Sequence, residues 1–261
     1  MSRFGPGLLV STEDGTATVT LDNPGRLNAL TLGMWQSLPG VLAGLAADPG
    51  VRLLVLTGEG GSFSAGADIA DLAEPGGLAA TRDAALAAEE ALAAFPKPTL
   101  AAVRGYCVGG GCQLAVACDL RFAAEGARFG VTPARLGIVY PASSTRRLVA
   151  LTSPSTAKYL LFSAELIDHE RALRTGLVDE VHPEDALDTR VRAFARLLAT
   201  RSHLTQSAAK SFATPDPIPA PHLAAWQSRS TTPAALAEAA EGTTAFLTHR
   251  TPHFTWTPDP S

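Results

Sequence analysis

The strongest constraint in this chain is a theme it repeats: a short apolar run, a glycine-rich turn, then a helical pattern. Val51 to Thr57 is a continuous apolar run broken by Gly58-Glu59-Gly60-Gly61, and Thr99 to Val103 is a second one that leads towards Gly109-Gly110-Gly111. Runs of this kind read as strands buried on both faces. Helical stretches are expected from about Thr31 to Ala47, Leu78 to Ala94 and Cys112 to Ala117, with a further strand over Asp119 to Ala123. Strands alternating with helices predict a layered α/β core. Ahead of them, Leu8, Val10, Ala17, Val19 and Leu21 share one face of a hairpin turned at Asp14-Gly15. From about Thr145 the pattern becomes mainly helical, with prolines interrupting Pro215 to Pro221, and His169 and His182 fall in an expected helix–loop connection.

A length of 261 residues with 46% hydrophobic content suits one sizeable domain with a helical appendage. No apolar run reaches the ~18 residues of a membrane span. The segment Met1-Ser2-Arg3-Phe4-Gly5-Pro6 lacks the apolar core of a signal peptide. A soluble, cytoplasmic protein with no membrane partner is the expectation. A formal net charge of -4 argues against nucleic acid as a general partner. Cys107, Cys112 and Cys118 match no zinc spacing, and their odd number argues against a disulfide framework; they read as small buried hydrophobes. The histidines show no metal spacing either.

Two glycine-rich turns carry the candidate chemistry. Gly109-Gly110-Gly111 does not open a dinucleotide fingerprint, because Leu114 occupies the last glycine position, and it lacks the Lys-Ser/Thr ending of a phosphate loop. Ser64 resembles a nucleophile, but Ser62 stands where the G-x-S-x-G elbow needs a glycine. The remaining functional reading is an oxyanion site. Gly110 opens a helix, and a ligand oxygen can approach its N–H closely. A second N–H from Ala65-Gly66-Ala67-Asp68 would converge on the same oxygen if the two strands lie side by side. Two such donors contribute roughly 3–4 kcal/mol each as charge develops. On spacing alone, two merely tight connections explain these turns equally well.

The segments Asn23-Pro24…Leu27-Asn28-Ala29-Leu30, Phe63-Ser64-Ala65-Gly66-Ala67-Asp68-Ile69, Lys97-Pro98…Gly105-Tyr106…Gly109-Gly110-Gly111-Cys112 and Cys118-Asp119-Leu120-Arg121 together resemble the crotonase (enoyl-CoA hydratase/isomerase) superfamily. So do Phe129-Gly130, Leu136-Gly137 and the late Glu241-Gly242…Ala245-Phe246-Leu247. The resemblance implies an α/β fold: a crotonase-like spiral of ββα units over residues 1–200, then a helical C-terminal trimerisation region over 201–261. It implies a homotrimer or dimer of trimers. It also makes the Ala67 and Gly110 amides the oxyanion hole for a thioester, with Ala65, Asp68 and Ile69 beside the substrate. Coenzyme A enters as part of the substrate, and no separate cofactor or metal is implied.

The sequence departs from the family where hydratases carry two glutamates: here those positions are Gln113 and Pro133. General acids and bases contribute ~10²–10⁴-fold, so losing both argues against ordinary hydration. The stretch Phe129 to Tyr140 is similar to methylmalonyl-CoA decarboxylases in Thr132, Pro133, Leu136, Gly137 and Tyr140, although that branch usually has histidine where Ala67 stands. Decarboxylation of a 2-carboxyacyl thioester makes an enolate without a carboxylate base. Thr132 and Tyr140 would orient the departing carboxylate, and Tyr140 or water would protonate the product. Tyr140 packing with its hydroxyl at the surface and Thr132 capping a turn are the bland alternatives. Asp68 reads as the N-cap of a helix starting at Ile69. Lysines that often meet CoA phosphates are replaced by Ala70 and His249, which leaves Arg26 and Arg250 as candidates and a carrier-protein thioester as an alternative to acyl-CoA. The expected function is thus an acyl-thioester enolate enzyme, sharpest as a decarboxylating lyase. An isomerase or hydratase with an atypical base and a non-catalytic thioester-binding subunit stand as alternatives.

Overall fold

A computed structural model describes residues 2–5, 7–213 and 217–257; Met1 and Pro6 of the N-terminal reading and Pro215 of the proline-rich stretch lie outside them. β1 (Ser2–Arg3) and the hairpin of β2 (Leu8–Glu13) and β3 (Thr16–Leu21) open the chain. Leu8, Val10, Ala17, Val19 and Leu21 are all buried, as the alternation requires, with Val10 opposite Val19. α1 (Leu32–Ala47) starts at Thr31, whose hydroxyl accepts from Met34 N, and stops at Asp48. β4 (Leu53–Gly58), α2 (Ile69–Ala73), α3 (Gly77–Ala93) and β5 (Thr99–Val103) follow. Next come β6 (Tyr106–Val108), α4 (Gly110–Ala117), β7 (Leu120–Ala124) and β8 (Arg128–Gly130). The second half holds α5 (Ala142–Leu151), α6 (Pro154–Ser163), β9 (Ile167–Asp168), α7 (His169–Thr175), β10 (Glu180–His182) and α8 (Leu187–Ala199). It closes with α9 (His203–Phe212), α10 (Ala220–Ser230) and α11 (Pro233–Leu247).

Seven strands form one sheet in the order β1-β2-β3-β4-β5-β7-β10, parallel from β3 onwards, and β6-β8-β9 form a second. The continuous apolar runs now have a cause. Leu54, Leu56, Ala101 and Val103 face the large core beneath α1 and α3, while Leu53, Val55, Leu100 and Ala102 pack with Leu187 and Val191 of α8. Both faces of β4 and β5 are covered, so neither strand alternates with polar residues. The three cysteines are buried and unpaired, as small core residues.

Several boundaries need correction. The strand expected from Val51 begins at Leu53, because Arg52 N and Leu53 N both bond to Gly15 O of the hairpin turn. The helix expected from Cys112 begins at Gly110. The region after Thr145 is mainly helical as expected, but the short strands β9 and β10 lie within it, and β10 adds to the main sheet beside β7. His182 therefore ends a strand, with its ring 2.7 Å from Glu180, and His169 opens α7.

Candidate active site

The two glycine-rich turns meet because their strands pair. Ser64 N donates to Tyr106 O at 2.8 Å and Val108 N to Ser64 O at 3.0 Å. Two residues further along each strand, Gly66 reaches Gly109 and Gly110. Ser64 is fully buried, and its hydroxyl donates to Asn28 O at 2.8 Å while accepting from Gly66 N at 3.1 Å. That hydroxyl is a structural pin, which removes the nucleophile reading.

The amide directions follow from the backbone. Leu30 N donates to Gly66 O at 2.7 Å, and Asp68 N to Leu30 O at 2.9 Å. In extended chain, successive residues direct their N–H and C=O groups to opposite sides, so the Ala67 N–H points away from Leu30. Gly110 is the first residue of α4, where an N–H has no partner within the helix. Among the described residues, neither the Ala67 nor the Gly110 amide donates to a protein acceptor. A β-carbon built on Gly110 would lie 3.4 Å from Ala67 N and 2.7 Å from Trp35 Cζ2; one on Gly66 would lie 3.0 Å from Val108 O. Only glycine permits this approach at either position, and Gly66 also has φ +106°.

A cavity of about 130 Å³ opens in front of the two amides. Ala65, Ala67, Ile69, Gly110, Gln113, Thr132, Pro133 and Tyr140 all line it, so eight residues singled out from the sequence converge there. Trp35, Leu72, Leu78 and Ile138 supply apolar wall. A groove of about 310 Å³ shares Ala65, Ile69, Thr132 and Leu136 with the cavity and runs past Leu27, Tyr106 and Val108.

Arg26 and Asp68 lie outside this wall. Asp68 caps α2 by accepting from Ala70 N at 2.9 Å, and Arg26 bridges to it at 3.0 Å, so the guanidinium first meets a carboxylate of its own chain. Arg250 is likewise paired with Glu241, at 2.6 and 2.7 Å. Thr132 stands at the start of the short 3₁₀ turn Pro133–Arg135 but makes no side-chain cap bond. Its Oγ1 faces Gly109, 3.4 Å from where a β-carbon would be.

Tyr140 is partly buried, packed against the core, and lines the cavity. Burial, with Cys112 and Glu89 nearby, pushes its pKa well above the ordinary phenol value. It is protonated near neutral pH. Behind it lies a group that the sequence reading passed over. Glu89 of α3 is fully buried and accepts from Gln113 Nε2 at 2.7 Å, Ser144 Oγ at 2.5 Å and Arg147 Nη1 at 2.6 Å. Arg147 continues to the exposed Glu90 at 2.7 Å. The available signal was a Glu-Glu pair in the middle of an alanine-rich helix, which no spacing rule links to the glycine turns. Among the described residues no group of His, Cys, Asp and Glu is arranged to hold a metal, and no helix is long and apolar enough to cross a membrane.

Comparison with known proteins gives one answer. Residues 11–257 match the family model described as enoyl-CoA hydratase/isomerase. A 2,3-dehydroadipyl-CoA hydratase of Escherichia coli is 36% identical over 249 residues, spanning 95% of this chain and 98% of that protein. A crotonyl-CoA hydratase of Syntrophomonas wolfei is 34% identical, over 79% of this chain and 80% of that one. Among solved structures, an enoyl-CoA hydratase/carnitine racemase from Magnetospirillum magneticum superimposes with a TM-score of 0.87 at 31% identity, covering 97% of both chains.

Proposed function

The chain belongs to the enoyl-CoA hydratase/isomerase family, and from that membership we propose that it binds an acyl-CoA and stabilises its thioester enolate between the amides of Ala67 and Gly110. The carrying observation is the pair of unengaged N–H groups facing one cavity. Preorganised donors of this kind cost no reorganisation when negative charge develops on the thioester oxygen. The groove past Leu27 and Tyr106 is where the pantetheine arm would run. The reaction proposed is hydration or isomerisation of a 2-enoyl thioester, with Tyr140 as the atypical proton-transfer group in place of the two family glutamates. The names of the relatives support hydration over other members of this chemistry.

Decarboxylation of a 2-carboxyacyl thioester is the second reading. Its supporting observations are that Thr132 and Tyr140 both line the cavity and that no carboxylate does. It needs only the amides and a proton donor, which a protonated Tyr140 supplies.

Incubating the protein with crotonyl-, 2-hexenoyl- and 2,3-dehydroadipyl-CoA should consume the enoyl absorbance. Gly110→Ala should then lower kcat/KM by roughly 10²–10³-fold, the usual cost of spoiling one oxyanion donor. Loss of CO₂ from methylmalonyl- or ethylmalonyl-CoA with no change in any enoyl-CoA would establish the second reading instead. Tight acyl-CoA binding with no turnover of either class would leave a thioester-binding subunit and overturn both.

A further inference from the structure

Of the polar side chains that line the cavity, Gln113 is held with one end turned away from it. Glu89 of α3 is fully buried and accepts from Ser144 Oγ at 2.5 Å and Arg147 Nη1 at 2.6 Å. Its third donor is Gln113 Nε2 at 2.7 Å. A carboxylate offers only lone pairs, so the amide cannot turn over: Nε2 is committed to Glu89, and Oε1 is the end left. Among the described residues Oε1 has no protein partner, and it is not enclosed, so it opens into the cavity that Gln113 lines. Trp35 Nε1 and Thr81 Oγ1 also belong to residues of the wall, but both atoms are enclosed in the packing. Arg82 is exposed and turns two donors to Asp83. The hydroxyls of Thr132 and Tyr140 can each present a proton or a lone pair. Gln113 is therefore the inner side chain of fixed sense, an acceptor.

Gln113 stands three residues after Gly110 on α4, and both line the cavity. Helical side chains lean back towards the N-terminus, so that of Gln113 lies over the turn that begins with the Gly110 amide. One turn is about 5 Å. The β-carbon of an acyl thioester is three bonds from the oxygen that the Ala67 and Gly110 amides would hold, which brings a group on that carbon within reach of Oε1. We propose that Gln113 determines specificity: it accepts a hydrogen bond from a hydroxyl on the β-carbon, or from the water that adds there, and Glu89 is the residue that positions it. This rests on the reading of the cavity as an enoyl-thioester site. The same acceptor opposes a carboxylate, which brings only lone pairs, and so favours hydration over loss of CO₂ from a 2-carboxyacyl group. Glu89 exchanges no proton in this assignment; it acts only by fixing which end of the amide the substrate meets.

Titration calorimetry with butyryl-CoA and with each epimer of 3-hydroxybutyryl-CoA tests the assignment. Wild type should bind the better hydroxy epimer about three- to tenfold more tightly than the saturated thioester, the worth of one neutral hydrogen bond. Gln113→Met keeps the length of the side chain and removes the acceptor. Glu89→Gln keeps the Gln113 amide but adds a donor that can capture Oε1. In both variants the ratio of the two affinities should fall towards one, while the affinity for butyryl-CoA changes less than about threefold. A cavity that had merely collapsed would weaken both ligands alike, so the ratio separates a positioning role from a structural one. An unchanged ratio in folded Gln113→Met and Glu89→Gln, or no preference for the hydroxyl in wild type, overturns the assignment and leaves the thioester reading standing. If wild type binds neither thioester, the reading of the cavity itself falls and takes the assignment with it.

Discussion

Gln113, where the family resemblance leads one to expect a glutamate, has surroundings built for an amide. It donates to a carboxylate 2.7 Å away, a bond that a second carboxylate could not make. Gln113→Glu would therefore not recover an ordinary hydratase site. Two carboxylates at that distance cannot both ionise cheaply, so one proton is retained and the pair's upper pKa rises above the unfolded value of about 4.3. A folded pKa raised in this way preserves stability at low pH and loses it as pH rises through the raised value. Against wild type, Gln113→Glu should be destabilised by ~2–4 kcal/mol at pH 8, with the gap closing towards pH 4.5. Urea unfolding at the two pH values measures this, and a pH-independent gap would refute it. The two turns that come together were legible as glycine-rich segments, because glycine at Gly66 and Gly110 marks a close approach of backbones. Glu89 was not, because its role depends on the packing of α3 against α4 and α5, and a glutamate on a helix carries no local sign of burial.

At the scale of elements, long patterns were readable and short ones were not. The hairpin, α1, α3 and β5 each run long enough to display a period or a continuous apolar stretch. β6, β8 and β10 have three residues each, too few for any period, and β10 exists because of a tertiary device. Arg121 of β7 is buried and donates to Leu177 O and Cys118 O at 2.8 Å and to Asp179 at 2.9 Å, which fixes the segment that becomes β10. The Cys118-Asp119-Leu120-Arg121 signature is thus explained as part of the fold. α9 carries a comparable tertiary effect at its first residue. His203 is buried against Trp256, with ring centroids 5.8 Å apart, and neither ring nitrogen has a hydrogen-bond partner. Burial, aided by the charges of Arg52 and Lys97, lowers its pKa from 6.5 to about 4. The unfolded chain then binds the extra proton between those values, so the contribution of His203 is intact above pH 6.5 and is lost as pH falls towards 4. His203→Gln should be less acid-sensitive than wild type by about 2 kcal/mol over that window, after discounting for solvent screening. Parallel stability–pH curves for the two proteins would show that the histidine is not the cause.

For the molecule as a whole, the surface of the chain poses the remaining question. On α11, Leu236, Phe246 and Leu247 are 58%, 81% and 71% exposed, and Phe162 of α6 is 77% exposed. Large apolar side chains left this open in one chain are commonly covered in an assembly. They lie mostly in the C-terminal helical region that the family resemblance assigns to trimer contacts. We therefore propose that the working unit is a trimer or a dimer of trimers, formed by covering α11. Light scattering should give a mass about three or six times the 27.0 kDa of the chain. Phe246→Asp combined with Leu247→Asp should lower that mass, since a charge buried without a partner opposes association. The cavity wall should survive this change, because Ala67, Gly110, Gln113 and Tyr140 are placed by hydrogen bonds and packing within the chain. If dissociation also abolishes acyl-CoA binding, the neighbour must hold the loops around the groove, and the site belongs to the assembly. A monomeric wild type at micromolar concentration would instead show that α11 is simply a tolerant surface.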